Sequence, residues 1–238
     1  MRFTEIWVYL SATPLLGLTV TLLAYQLAHW LYTRVKLNPL ANPVAISVAL
    51  LVFLLWSTGT PYATYFEGAQ FVHFLLGPAT VALAVPLYAN LATLKRNLLP
   101  LGGALAVGSL VAVLSAVTIG WFLGASRESL LSLAPKSVTT PIAMGIAEKL
   151  GGLPSLTAVL VVATGILGAV LARGTLNLLR IEDHAVRGFA VGVAAHGIGT
   201  ARAFQVSETM GAFAGLAMGL NGLVTAFAFP LLVRLAGG

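Results

Sequence analysis

Leu133-Ala134-Pro135-Lys136-Ser137-Val138-Thr139-Thr140-Pro141 is the stretch on which the fold turns. Two prolines bracket a lysine and three hydroxyl side chains, in a chain that is otherwise dominated by apolar runs. Proline removes a backbone donor and its ring collides with the preceding turn, so an unbroken helix facing hydrocarbon is excluded here. The surrounding interval 126–152 also carries Arg127, Glu128, Glu148 and Lys149. It reads as two half-helices meeting at a polar break, entering and leaving from one side.

Outward from that break, apolar segments run at 8–31, 43–58, 69–91, 101–123, 154–172, 186–204 and 211–233. About 20 apolar residues are needed to cross roughly 30 Å of hydrocarbon. The composition agrees, with 58% hydrophobic and 8% charged residues among 238, where a soluble domain carries about 25% charged. The pattern predicts an all-α integral membrane protein of about seven spanning helices plus the re-entrant broken segment, as one polytopic membrane domain over 1–238. At the N-terminus the apolar stretch runs past Pro14 to Trp30 without a small-residue cleavage site, which reads as a span and not as a signal peptide.

The net charge is +6, but the thirteen Lys and Arg are scattered between apolar runs. No basic stripe with interleaved aromatics forms, so nucleic acid is not an expected partner. The positive residues instead carry topology, because Lys and Arg collect on the cytoplasmic side. With the N-terminus outside, inner loops gather Arg34, Lys36, Lys95, Arg96, Arg173, Arg180, Arg187 and Arg234, and the outer side keeps Arg2, Arg127 and Lys149. That arrangement predicts a cytoplasmic C-terminus, provided 126–152 is re-entrant.

The chain also echoes itself. Gly77-Pro78-Ala79-Thr80-Val81-Ala82 recurs in form as Gly197-Ile198-Gly199-Thr200-Ala201-Arg202, and Thr13-Pro14 as Thr140-Pro141. Two repeats, about 8–123 and 126–234, would then run in opposite directions. Inverted repeats with discontinuous helices are the architecture of many secondary transporters, whose sites sit where the helices are interrupted.

Three segments carry candidate binding residues. At the first break, Lys136, Ser137, Thr139 and Thr140 surround backbone groups freed by proline, and the half-helix opening near Thr140 turns its N–H groups toward an anion; a lysine snorkelling to headgroups fits the same residues. In the second, Arg202 lies in an apolar span with His196 and Thr200 nearby. A guanidinium in hydrocarbon requires a wet cavity, a substrate carboxylate or an ion pair, for which Glu208 is the nearby acid. His196 fits either a proton relay or a hydrogen-bonded core residue. The third is Gly77, Pro78 and Thr80, where a kink is expected, serving either a site or packing alone. Asn221 adds a donor and acceptor within the last span, and glycines at 211, 215 and 219 read as small-residue helix packing.

The same residues exclude other chemistry. Cysteine is absent, and His29, His73 and His184 are dispersed, so no metal site or cofactor is expected. No context assembles a Ser-His-Asp triad, so an enzyme is not expected.

Taken together, Phe74–Leu87, Leu133–Ala143 and His196–Ala203, with Gly211-Ala212-Phe213 and Met218–Gly222, resemble the LrgB/CidB family across nearly the whole chain. The resemblance implies a bacterial inner-membrane protein, often paired with a small LrgA/CidA-type partner and expected to form homo-oligomers. It also implies one of two functions. The family includes the plastidial glycolate/glycerate translocator and relatives linked to small organic acids such as pyruvate, and it has been described as holin/antiholin-like modulators of murein hydrolase release and autolysis. The LrgA-like portion fused at the N-terminus of the plastid proteins is not expected within these 238 residues, which implies a separate partner chain. The expectation is therefore a carrier of small monocarboxylates, with Arg202 on the carboxylate, Thr139, Thr140 and Thr200 reading the remainder, and His196 handling a proton.

Overall fold

The computed structural model describes residues 14–75, 78, 81–82 and 84–235, and those residues form helices and their connections, with no strand among them. The chain divides into two compact units, 1–82 and 83–238.

In the first unit, α1 (Pro14–Arg34) packs against α2 (Pro43–Thr58) and α3 (Tyr62–Phe74). Asn42 starts α2 by accepting from the Val44 and Ala45 amides, with Pro43 in the first turn where no donor is missed. Gly59, at φ +64°, ends it in the left-handed conformation. Gly17 allows the Tyr65 carbonyl to press against α1, and the Thr21 hydroxyl meets the Tyr65 hydroxyl at 2.7 Å.

The second unit runs α4 (Ala84–Ala89), α5 (Leu91–Arg96), α6 (Leu98–Phe122), α7 (Arg127–Leu133), α8 (Thr140–Leu150), α9 (Pro154–Leu178), α10 (His184–Phe204) and α11 (Glu208–Leu235). Among the described residues of the chain, α1, α6, α9 and α11 are long and apolar enough to cross a membrane. Their outer faces are hydrocarbon: Val107, Leu110 and Leu114 on α6, and Val159, Leu167 and Leu171 on α9, are all exposed. A soluble protein does not present apolar surface on that scale; lipid is the solvent for these faces. Helix α11 is the central element, with 56% of its most apolar stretch buried against 17% for α6 and 22% for α9.

Two segments break the pattern of simple crossing. The first is the expected one. Helix α7, capped by Ser126, ends at Leu133, and α8 begins at Thr140. The arms lie side by side: a Cβ on Gly152, just past α8, would come within 3.1 Å of the Leu131 carbonyl carbon. The Ser132 hydroxyl accepts from the Leu153 amide at 2.7 Å, and the Ser132 carbonyl accepts from Thr157 at 3.1 Å. The interval therefore enters and returns at the end of the unit where α6 finishes and α9 begins.

The second break corrects the reading of 186–204 as one crossing. Helix α10 is interrupted at His196, whose φ of 40° and ψ of −134° are not helical. The chain doubles back there. A Cβ on Gly199 would lie 3.2 Å from the Val191 carbonyl oxygen, although residues eight apart in a straight helix are separated by about 12 Å. At the open end of the hairpin, His184 Nδ1 and the Ser207 hydroxyl are 2.6 Å apart. Glycine makes this tight return possible: Gly188 and Gly192 of the first arm lie directly against the Met210 and Ala214 carbonyls of α11. Irregular backbone at membrane depth is tolerated where protein buries it, and Gly188, Val191, Gly192, Ala195, His196, Gly199, Thr200 and Ala203 are all buried.

The two hairpins enter from opposite ends of the second unit. Leu101, Leu105 and Gly108 of α6 climb alongside Ala185, Phe189 and Val193, and Asn177, near the end of α9, bonds Arg187. The base of the second hairpin thus sits with the start of α6 and the end of α9. Phe229 of α11 packs with Ala134 and Ile146 of the first hairpin. The C-terminal end of α11 accordingly lies with the base of the first hairpin, on the end away from Arg173, Arg180 and Arg187.

Candidate functional site: the meeting of two interrupted helices

An arm of twelve residues, such as 184–195, rises about 18 Å, a little over half of a hydrocarbon core of about 30 Å. Two such arms from opposite ends must meet near the middle, and Asn221 of α11 marks the place. Its side chain is 1% exposed. Asn221 Oδ1 accepts from the Ser109 hydroxyl of α6 at 2.5 Å. Its Nδ2 donates to the Ser137 carbonyl of the first hairpin at 3.2 Å and to the Val193 carbonyl of the second at 3.1 Å. One carboxamide therefore ties three elements, using three of its four bonding positions. A space of about 10 Å³ adjoins it, room for roughly one probe sphere, and in this conformation Asn221 fastens the tips.

His196 forms the tip of the second hairpin. Its Nε2 lies 2.9 Å from the Val161 carbonyl; since a carbonyl only accepts, Nε2 carries the proton and donates, leaving Nδ1 with the lone pair in the neutral ring. Gly165 gives the ring its place, because a Cβ there would fall 2.6 Å from His196 Cε1. A non-glycine residue in such a conformation stores about 1–3 kcal/mol of strain, a cost that clusters at functional positions. Thr200 is 3% exposed and donates to the His196 carbonyl at 2.8 Å, which spends its hydroxyl on the turn itself.

Lys136 is the charged group of this region. It is half-buried, and its Nζ donates to the Ser137 hydroxyl at 3.3 Å. Thr139 and Thr140 are half-buried at the start of α8, and the Thr139 hydroxyl does not cap the helix. The eleven-residue helix thus directs the positive end of its dipole at the break. A cation, a helix N-terminus, an imidazole and hydroxyls together form a set suited to a small carboxylate.

Arg202 stands elsewhere. Because the chain reverses at His196, Arg202 lies about 9 Å down the returning arm, half-buried, with Nη1 donating to Gln205 Oε1 at 3.0 Å. It faces a separate cavity with Arg173 and Arg187. Glu208, in the first turn of α11, is exposed. Pro78 is exposed, and Gly77 and Thr80 lie outside the described residues. The structure thus gathers Lys136, Ser137, Thr139, Thr140, His196, Thr200 and Asn221 around the two tips and sets Arg202 apart from them. Sequence reading missed Ser109, Val161 and Gly165, whose parts depend on tertiary contacts. A larger cavity of about 550 Å³ between α6 and the first arm of α10 is lined largely by side chains such as Leu101, Phe189 and Val193, a hydrocarbon surface unsuited to an anion.

The LrgB-like family model matches residues 21–235. The uncharacterised protein YwbG of Bacillus subtilis (strain 168) is 36% identical over 219 residues, covering 92% of this chain and 97% of its own. The uncharacterised protein YxaC of the same organism is 36% identical over 216 residues, covering 91% and 94%. No solved structure matches. A family match over most of the length, with relatives aligned nearly end to end, places this chain in the LrgB-like family.

Proposed function

We propose that the chain is a carrier of small monocarboxylates of the glycolate, glycerate, lactate or pyruvate type, in a bacterial inner membrane, working by alternating access with proton coupling or exchange. One observation carries this reading: two interrupted helices enter the second unit from opposite ends and their tips are tied together at Asn221. Interrupted helices near the midplane are the hallmark of secondary-transporter sites. Helix α6 with the first hairpin and helix α9 with the second form the inverted pair in this reading, 98–150 against 154–204, and both crossing helices have 25 residues. That pairing replaces the longer repeats expected from the sequence.

Lys136 and the N-terminus of α8 hold the carboxylate, the Thr139 and Thr140 hydroxyls meet its substituent, and His196 Nδ1 accepts a proton. The end bearing Lys95, Arg96, Arg173, Arg180, Arg187 and Arg202 faces the cytoplasm, following the positive-inside rule. The C-terminus then faces outward, opposite to the sequence expectation, because α10 returns and does not cross.

The test is uptake of labelled glycolate, glycerate, lactate and pyruvate into proteoliposomes holding the chain alone or with an LrgA-type partner. Saturable uptake is expected, falling at least tenfold in Lys136→Ala. Saturable uptake unchanged in that variant removes the site, and dye leakage without saturation replaces the carrier with the holin-like alternative.

A further inference from the structure

The base of the second hairpin holds a cavity that the carrier reading leaves unused. Its volume is about 380 Å³, and Arg173, Asn177, His184, Arg187 and Arg202 line it. The reversal at His196 creates this cluster: it returns Arg202 to the level of Arg187, while the end of α9 brings Arg173 and Asn177. No acidic side chain is among the described residues that line it. Arg187 is held as a fork, with Nη2 donating to Asn177 Oδ1 at 2.8 Å and Nη1 to the Ile181 carbonyl at 3.3 Å. Its Nε is buried with no bonding partner.

A buried guanidinium N–H without an acceptor is costly, and the charges of Arg173 and Arg187 beside one void repel each other. Both are relieved by one oxyanion. Guanidinium forks match tetrahedral phosphate well, since several oxygens accept at once from planar donors. We infer that this cavity is a phosphate-group site, separate from the hairpin tips and at the basic end of the second unit. The group arrives either as a free phosphate or as the headgroup of an anionic lipid, which the interface supplies to basic pockets between helices.

The experiment measures binding to the full chain, not uptake, so its outcome is independent of the carrier reading. Inorganic phosphate is titrated calorimetrically into the detergent-solubilised protein, and phosphatidylglycerol retention is measured by native mass spectrometry from nanodiscs, with phosphatidylcholine as the neutral control. Arg187→Gln removes the orphaned donor. Arg173→Gln, at an exposed side chain, serves where the first variant fails to fold, and Arg127→Gln at the opposite end is the control. Phosphate affinity reduced at least fivefold in the first two variants and unchanged in the control supports a soluble ligand. Phosphatidylglycerol retention lost in the same two variants supports a headgroup. Absence of both ligands from the parent, or binding in Arg173→Gln and Arg187→Gln equal to the parent, overturns the site.

Discussion

Replacing Asn221 by leucine tests whether one carboxamide holds the two hairpin tips together. The substitution keeps the volume close and removes both donors and the acceptor. At about 0.6 kcal/mol each, the average for hydrogen bonds between membrane helices, the three lost bonds set a floor near 2 kcal/mol. The stranded Ser137 and Val193 carbonyls and the Ser109 hydroxyl, each costing about 1–3 kcal/mol when buried without a partner, raise the expected loss to about 3–9 kcal/mol. Two measurements read it. Thermal unfolding in detergent should shift downward, and a cysteine placed at Ser137, 7% exposed in the parent, should react with maleimide at least tenfold faster in the Asn221→Leu background. The protein has no native cysteine, so no labelling competes. An unchanged midpoint together with unchanged reactivity would refute the idea that these bonds fasten the tips.

Gly188→Val should lower stability by at least about 2 kcal/mol in the same unfolding assay, because its side chain meets the Met210 carbonyl, a backbone atom that cannot swing aside. Gly174→Ala, with open space around it, should be neutral or stabilising by up to about 1 kcal/mol, so equal losses in both would discredit the close packing of α10 on α11. For topology, cysteines introduced at Arg180 and Gly151 should be modified by an impermeant reagent from opposite faces of the membrane, Arg180 from the cytoplasmic side; labelling of both from one face would contradict hairpins entering from opposite ends.

The first hairpin was legible because its signal is local. Pro135 and Pro141 cannot sustain a helix, Lys136 cannot face lipid, and the break lies between them. The crossing helices at 101–123, 154–172 and 211–233 were legible for the same reason, each being a long apolar run that the structure extends by a few residues. The second hairpin was not. No proline marks residue 196, the flanking stretch is apolar throughout, and the turn is made by a histidine next to Gly197, a residue better suited to positive φ. What makes the reversal stable lies far off in sequence: the Val161 carbonyl, the missing side chain at Gly165, and the α11 backbone against Gly188 and Gly192. Misplacing Arg202 followed from that single omission, since a straight α10 would put it on the far side of the bilayer from Arg187. Of residues 69–91, read as one span, the described positions are helical up to Phe74, at Pro78, Val81 and Ala82, and from Ala84 to Ala89, while 76–77, 79–80 and 83 lie outside the described residues.

The carboxamide at 221 has two hydrogens and lends one to each tip. If either tip retreats toward its own surface, it leaves behind an occupied neighbour and carries away a dry carbonyl that only water or solute can satisfy. Both tips retreating at once would strand every acceptor in the middle of the lipid and open a leak. Under the carrier reading proposed above, the least expensive excursions are those taken one at a time, and the asparagine would then work as an interlock: while one door stands ajar, the other stays bolted.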